Sequence, residues 1–218
     1  MKRFVIVGLG NFGSSVAEAL HSIGHEVAAL DRTPDRVDHM ASRVSRAAVG
    51  DGREIETLRR VGAEGADAAV VSTGDDITAS ALTTLALKDV GIDEIYVKVI
   101  SYEHARLIEK LGVTETIFPE RESGIRLGKR ISSRSLLNYV QLGEDFSVQE
   151  MAVPTAWVGS TLRDLELPKR MRVTVVAVHD MLMGTITPVP DPDAVLKESD
   201  TLLVAGTDRD LARAAKLT

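Results

Sequence analysis

The chain has 218 residues, a formal charge of −6, 44% hydrophobic and 4% aromatic residues, and no cysteine. That length supports one large or two small domains with real cores, and the acidic balance with so few aromatics excludes a broad basic face or a base-stacking platform for nucleic acid. The missing cysteines exclude disulfides, zinc–thiolate sites and cysteine nucleophiles and point to a reducing cytoplasm, while no apolar run approaches the ~20 residues that cross a bilayer.

Lys2 to Gly8 is nearly all apolar, as a strand buried on both faces should be, and it leaves no room for a signal peptide. It runs into Gly8-Leu9-Gly10-Asn11-Phe12-Gly13, a Gly-x-Gly-x-x-Gly turn opening a helix. Gly8 permits the tight turn, Gly10 lets backbone approach a pyrophosphate, and Gly13 lets helix and strand pack closely. The phosphate would sit on the leading amides of that helix. Val16, Ala17, Leu20 and Ile23 form its buried stripe, and Gly24 ends it.

Glu26 to Asp31 reads as the second strand, and Thr33-Pro34 starts a helix with Thr33 as N-cap and Val37, Met40, Ala41 and Val44 inward. Strands Ala47–Gly50, Ala68–Ser72, Ile95–Ile100 and Glu115–Phe118 follow, alternating with helices. The helix after the first is closed by Gly62, the next buries Leu82, Leu85 and Ala86, and the last runs from Ser101 to Leu111. This rhythm predicts a Rossmann-like doubly wound parallel sheet over 1–118.

A basic helix through Arg126, Lys129, Arg130 and Arg134, with apolar Ile125, Leu127 and Ile131, is read as a connector within 119–143. Residues 144–218 are read as a small β-rich α+β domain, with strands at Phe146–Val153, Arg172–Val178, Thr185–Thr187 and Thr201–Ala205 and a short final helix; a further strand, Leu136–Leu142, precedes it. Met181 to Gly184 is a hairpin turn, and Pro188 to Pro192 an extended surface loop.

Asp31 stands where an acidic side chain accepts hydrogen bonds from ribose hydroxyls and repels a 2′-phosphate; with Arg32 beside it the reading is NAD, ATP, ADP or AMP rather than NADP. Asp51-Gly52 and Thr73-Gly74 end the third and fourth strands and face the same crevice. They serve either adenine and ribose or turn formation, with Asp75 or Asp76 capping a helix. Lys98 either snorkels from its strand or meets phosphate or a subunit. His21 and His25 are separated by the helix-ending Gly24, so they do not form a metal pair. No nucleophile elbow, Walker A, zincin or EF-hand pattern occurs.

From the glycine turn with Asp31, through Gly50-Asp51-Gly52, Tyr96-Val97-Lys98 and Phe118-Pro119-Glu120-Arg121, to Leu202-Leu203-Val204-Ala205-Gly206, the chain resembles the RCK or KTN (TrkA-type) regulatory subunits of Ktr and Trk potassium-uptake systems. The resemblance implies a non-enzymatic gating subunit, cytoplasmic and peripheral to the membrane. Such a subunit dimerises through its Rossmann lobe and connecting helix, assembles into an octameric ring, and docks on a membrane potassium channel without binding nucleic acid or inserting into lipid. It implies ATP or ADP, with NAD or NADH also admitted, at Gly8, Gly10, Asn11, Phe12, Gly13, Asp31, Arg32, Asp51, Gly52, Thr73, Gly74 and Lys98. It further implies Mg²⁺ or another cation at Glu120, and cyclic di-AMP near Leu162, Leu165, Arg170, Met171 and Pro188, although no tight motif marks that site and those residues by themselves read as an apolar dimer seam. Asn11 departs from the arginine common at that position in Ktr relatives, leaving the glycine turn without a charge for a terminal phosphate. The alternatives are a small NAD-dependent oxidoreductase, which would need a proton donor that only His179 offers in the C-terminal part, and a nucleotide sensor unconnected to transport.

Overall fold

The apolar N-terminal run becomes β1 (Arg3–Val7), from which a six-stranded parallel sheet grows in both directions. The computed structural model describes residues 1–132, 136–143 and 145–215. They fall into two compact units, Met1–Arg121 and Glu122–Thr218.

In the first unit β1 is followed by α1 (Asn11–Ser22), β2 (Glu26–Asp31), α2 (Pro34–Met40), β3 (Arg46–Val49), α3 (Ile55–Val61) and β4 (Ala68–Val71). Then come α4 (Ile77–Asp89), β5 (Ile95–Lys98), α5 (Tyr102–Lys110) and β6 (Glu115–Ile117). The strand order β3-β2-β1-β4-β5-β6 makes the chain cross from one side of β1 to the other between β3 and β4. The crevice at such a switch point, outside the carboxyl ends of β1 and β4, is where this sheet type binds ligands. Side chains of β1 alternate: Val5 and Val7 enter a core with α3, α4 and α5, and Ile6 enters a second core with α1 and α2. A strand covered on both faces needs a continuous apolar run, and this one has it.

Two glycines of the first turn are dictated by the protein itself. Gly8 has φ +96, and a Cβ there would overlap the Ser72 carbonyl; a Cβ on Gly13 would overlap the carbonyl of Gly8. Gly24, with φ +90, has the same conformational need but open space around it.

Packing departs from the expected stripes on several helices. On α4 the residues turned inward are Ala79, Ser80, Thr83, Thr84, Ala86 and Leu87, whereas Leu82 and Leu85 are exposed. At Thr83 the reason is space: a Cβ on Gly52 would overlap Val7 and crowd Thr83, so the helix residue facing Gly52 must be small. Ile23 and Ala41 are likewise exposed. Thr33 is the N-cap of α2, yet its side chain caps nothing.

Helix α6 (Pro119–Ser132) leads into the second unit with Ile125, Leu127 and Ile131 exposed; Arg134, assigned to the same helix from sequence, lies outside the described residues. The second unit contains β7 (Leu136–Gly143), β8 (Phe146–Ala152), α7 (Leu162–Leu165), α8 (Leu167–Met171), β9 (Thr174–Asp180), β10 (Thr185–Pro188), β11 (Asp200–Thr207) and α9 (Asp208–Ala214). Its antiparallel sheet has the order β10-β9-β11-β8-β7. The core gathers Met151, Trp157, Leu167, Leu202, Val204 and Leu211.

Two short helices, α7 and α8, stand between β8 and β9 where no strand or helix is expected, and a capping box of Thr161 and Asp164 marks the first of them. Arg172, expected to open a strand, has φ +62, so β9 starts at Thr174. Leu162, Leu165 and Met171, candidates for a nucleotide seam, pack against the unit's own core. Arg170 lies 3.6 Å from Glu166. Among the described residues no helix is long and apolar enough to cross a membrane.

Gly8 and Gly24, two of the positive-φ glycines, separate strain from packing. Gly24→Ala, where only the left-handed backbone is penalised, should cost about 1 kcal/mol. Gly8→Ala, which adds overlap with backbone, should cost roughly 3 kcal/mol or more. Urea unfolding followed by circular dichroism measures both, and equal losses would contradict the close approach of Gly8 to Ser72.

Candidate functional site

The glycine turn is held from below by one carboxylate. Asp31, at the end of β2, is buried and accepts hydrogen bonds from the Leu9 N–H at Oδ2 (2.7 Å) and the Thr33 N–H at Oδ1 (2.8 Å). The Gly8 N–H donates to the Leu30 carbonyl at 2.8 Å, and the Ser72 N–H to the Val7 carbonyl at 2.7 Å, so the ends of β1, β2 and β4 are tied at the crevice. Arg36 of α2 places Nη1 3.5 Å from Asp31 Oδ2. Burial pushes the Asp31 carboxyl up, but the Leu9 and Thr33 hydrogen bonds and the Arg36 charge outweigh it and hold the group below its usual 3.8.

Beside this turn lies a cavity of about 100 Å³, lined by Gly8, Asp31, Arg32, Asp51, Gly52 and Thr73 among others. It brings together residues from the ends of four different strands. A wider groove of about 760 Å³ runs along the first turns of α1 and α2 and takes in Gly10, Asn11, Ser14, Asp35 and His39. Gly10 is the N-cap of α1, with no side-chain cap bond, and its φ of −71 does not require glycine. A Cβ built there meets nothing within 4 Å. A helix start with no side-chain cap offers backbone N–H groups to an anion.

The other sequence candidates are spread. Phe12 is half-buried against the α1–α2 core, and Gly13 is buried inside the turn. Asp51 lines the cavity but is also gripped by Arg53, whose Nε lies 2.9 Å and Nη2 2.5 Å from its oxygens; that hydrogen bond holds its carboxyl below the usual range. Gly74 has φ +69 in the loop before α4, and Asp76, not Asp75, caps that helix by accepting from the Ala79 N–H at 2.8 Å.

Lys98 and Glu120 do not line the cavity; they face each other, Nζ to Oε1 at 2.5 Å. The Lys98 hydrogen bond lowers the Glu120 carboxyl. Next to them the rings of Tyr102 and Phe118 are 5.6 Å apart, and the Arg121 guanidinium lies 5.4 Å over the Tyr102 ring. Among the described residues no three His, Asp or Glu side chains are grouped to hold a metal ion. Sequence reasoning missed Arg36, Gly50 and Thr83, all cavity-lining. Arg36 carried the best signal, a cation in the first turn of the helix that follows Asp31.

A carboxyl whose folded pKa is depressed stabilises the fold above its unfolded value, and that stability is lost as pH falls through the folded one. The difference in urea midpoint between wild type and Asp31→Asn should be constant from pH 7 to about pH 4 and should narrow below that. A difference independent of pH down to the acid transition would remove the charge on Asp31 as its cause.

Comparison with known proteins fits this geometry. The TrkA-N domain family matches residues 4–119 and the TrkA-C domain family residues 148–218. The Ktr system potassium uptake protein A of Bacillus subtilis is 32% identical over 212 residues, covering 97% of this chain and 95% of that protein. Among solved structures, the GsuK channel bound to NAD superposes with a TM-score of 0.67 at 19% identity, covering 99% of this chain. The chain spans only 39% of that channel's length, and the likeness is one of fold. Kef CTD from Shewanella denitrificans in its AMP-bound form superposes with a TM-score of 0.51 at 26% identity, covering 58% of this chain and 77% of that one. With both domain families matched in order, and a Ktr protein related over nearly the whole length, the chain belongs to the TrkA-type regulatory subunits of Ktr and Trk potassium-uptake systems, whose role is regulation of transport and not catalysis.

Proposed function

We propose that the chain is a cytoplasmic gating subunit that binds an adenine nucleotide in the crevice above Gly8, Gly10 and Asp31 and passes its presence to a membrane potassium channel. The observation that carries this reading is Gly10. Gly8 and Gly13 are glycines for reasons internal to the fold, whereas Gly10 has neither a positive φ nor a neighbour within 4 Å, and its open side faces the groove at the uncapped start of α1. A ligand phosphate on the helix amides is what a Cβ there would obstruct. Asp31 adds a carboxylate with lone pairs left over for ribose hydroxyls. The AMP-bound Kef relative supports an adenosine ligand on this fold at 26% identity.

Gating needs only that the nucleotide bind one assembly shape more tightly than another, since no ligand shifts an equilibrium by more than its differential affinity. Assembly through the first unit is supported by Leu82 and Leu85 on α4 and Leu107 on α5, large apolar side chains left outside both cores. Within one chain a cation at Glu120 is opposed by the Lys98 ammonium already against that carboxylate, so further ligands would have to come from a second copy or from the nucleotide.

Thermal-shift titration tests the ligand. A nucleotide at about 100 times its dissociation constant adds about 2.7 kcal/mol, a rise of roughly 5–10 °C for a chain of this size. ATP, ADP or AMP should stabilise wild type and lose the effect in Asp31→Ala; stabilisation by NADH alone would replace the adenine mononucleotide with a dinucleotide. Separately, Leu85→Asp should move the protein toward monomer in analytical ultracentrifugation, and an unchanged sedimentation coefficient would place the subunit contact elsewhere.

A further inference from the structure

Arg36 stands at the boundary between the small cavity beside Asp31 and the wide groove beside Gly10 and Asn11, and it lines both. Resting on the adenine-nucleotide reading of that site, we propose that Arg36 is the residue that recognises the nucleotide's phosphates and so sets the preference for ADP and ATP over adenosine. The turn itself carries no cation, because Asn11 offers only a neutral amide. The charge that meets a polyphosphate must therefore come from the surrounding walls.

The other arginines around the site are engaged or misplaced. Arg53 is tied to Asp51 through Nε and Nη2 at 2.5–3.0 Å, and Arg43 is paired with Glu18 at 2.7 Å. Arg32 lines the cavity alone, on the Asp51 side, and not the groove. Arg36 differs on each count. Its Nη1 is 3.5 Å from Asp31 Oδ2, close enough for charge attraction and too long for a firm hydrogen bond, and its side chain is 55% exposed. Its neighbours on α2 fix the helix against the sheet, since Val37 and Met40 are buried in the core.

With ribose on Asp31 and phosphates on the start of α1, the phosphate chain leaves one space and enters the other past Arg36. A guanidinium there can take two phosphate oxygens at once while its charge still offsets Asp31. Asp35 lines the same groove, and Glu18 does too with its charge already met by Arg43. The groove therefore discourages anions that Arg36 does not meet directly, and this concentrates recognition on one residue.

The test is isothermal titration of the full-length protein with adenosine, AMP, ADP and ATP, comparing wild type, Arg36→Gln and Arg36→Lys, with unliganded melting temperatures confirming that each variant folds. Arg36→Gln should weaken ADP and ATP by tenfold or more and leave adenosine within about twofold, and Arg36→Lys should recover part of the loss. Equal losses for adenosine and ADP would mean that Arg36 acts only by steadying Asp31 and would overturn the proposal, as would unchanged affinity for ADP. Absence of binding by wild type to all four ligands would remove the nucleotide reading itself, and this proposal with it.

Discussion

Two hydrogen bonds to one carboxylate, Leu9 N–H and Thr33 N–H on Asp31, join the loop after β1 to the loop after β2. Each loop by itself leaves a backbone donor pointing at the crevice, where protein supplies little else to receive it. A buried donor without a partner costs about as much as a lost hydrogen bond, so Asp31 determines whether this end of the sheet can close at all. The same carboxylate is the one to which the proposed nucleotide reading assigns the ribose, so in that reading structural and recognition roles rest on one side chain. The nearby Arg36 charge makes burial of that anion tolerable without saturating it.

The packing around the crevice follows from how close its backbones come. Gly52 lies against Val7 and Thr83, Gly8 against Ser72, and Gly13 against Gly8. At Gly52 a Cβ would overlap the Val7 side chain and crowd Thr83, and the buried side of α4 carries mostly small residues, Ala79, Ser80, Thr83, Thr84 and Ala86, with Leu87. Leu82 and Leu85 of that helix lie on its outer side, whereas Leu87 is buried. Lys98 and Glu120 add a link of a different kind, an ion pair joining the end of β5 to the first turn of α6, while the Tyr102 and Phe118 rings meet at a tilt and Arg121 lies over Tyr102. It ties the helix that leaves the first unit to the sheet that forms the crevice.

Much of this was readable in residue order because it depends on neighbours along the chain. The Gly8-x-Gly10-x-x-Gly13 turn, Asp31 one strand later, the β-branched runs and the glycines that stop helices are local signals, and the parallel sheet and the crevice follow from their alternation. Less of the site's membership was legible. Phe12 lies on the helical motif yet turns into the core, and Lys98 lies at the end of a strand yet meets Glu120, because the direction a side chain takes is set by what packs around it. Arg36 escaped notice for the converse reason: it belongs to no motif and matters only through the two spaces it separates.

By itself the sequence determined the class of fold, the family and the place of the glycine turn and Asp31 at one end of the sheet, since hydrophobic period, turn chemistry and the spacing of glycines to Asp31 are properties of short segments. Only the tertiary structure decided which leucines of α4 face outward, that α7 and α8 fill the gap between β8 and β9, that Glu120 is held by Lys98, and that Arg36 stands between the two spaces beside Asp31. Those outcomes turn on distances between residues far apart in the chain, and such distances exist only once the backbones have closed on one another.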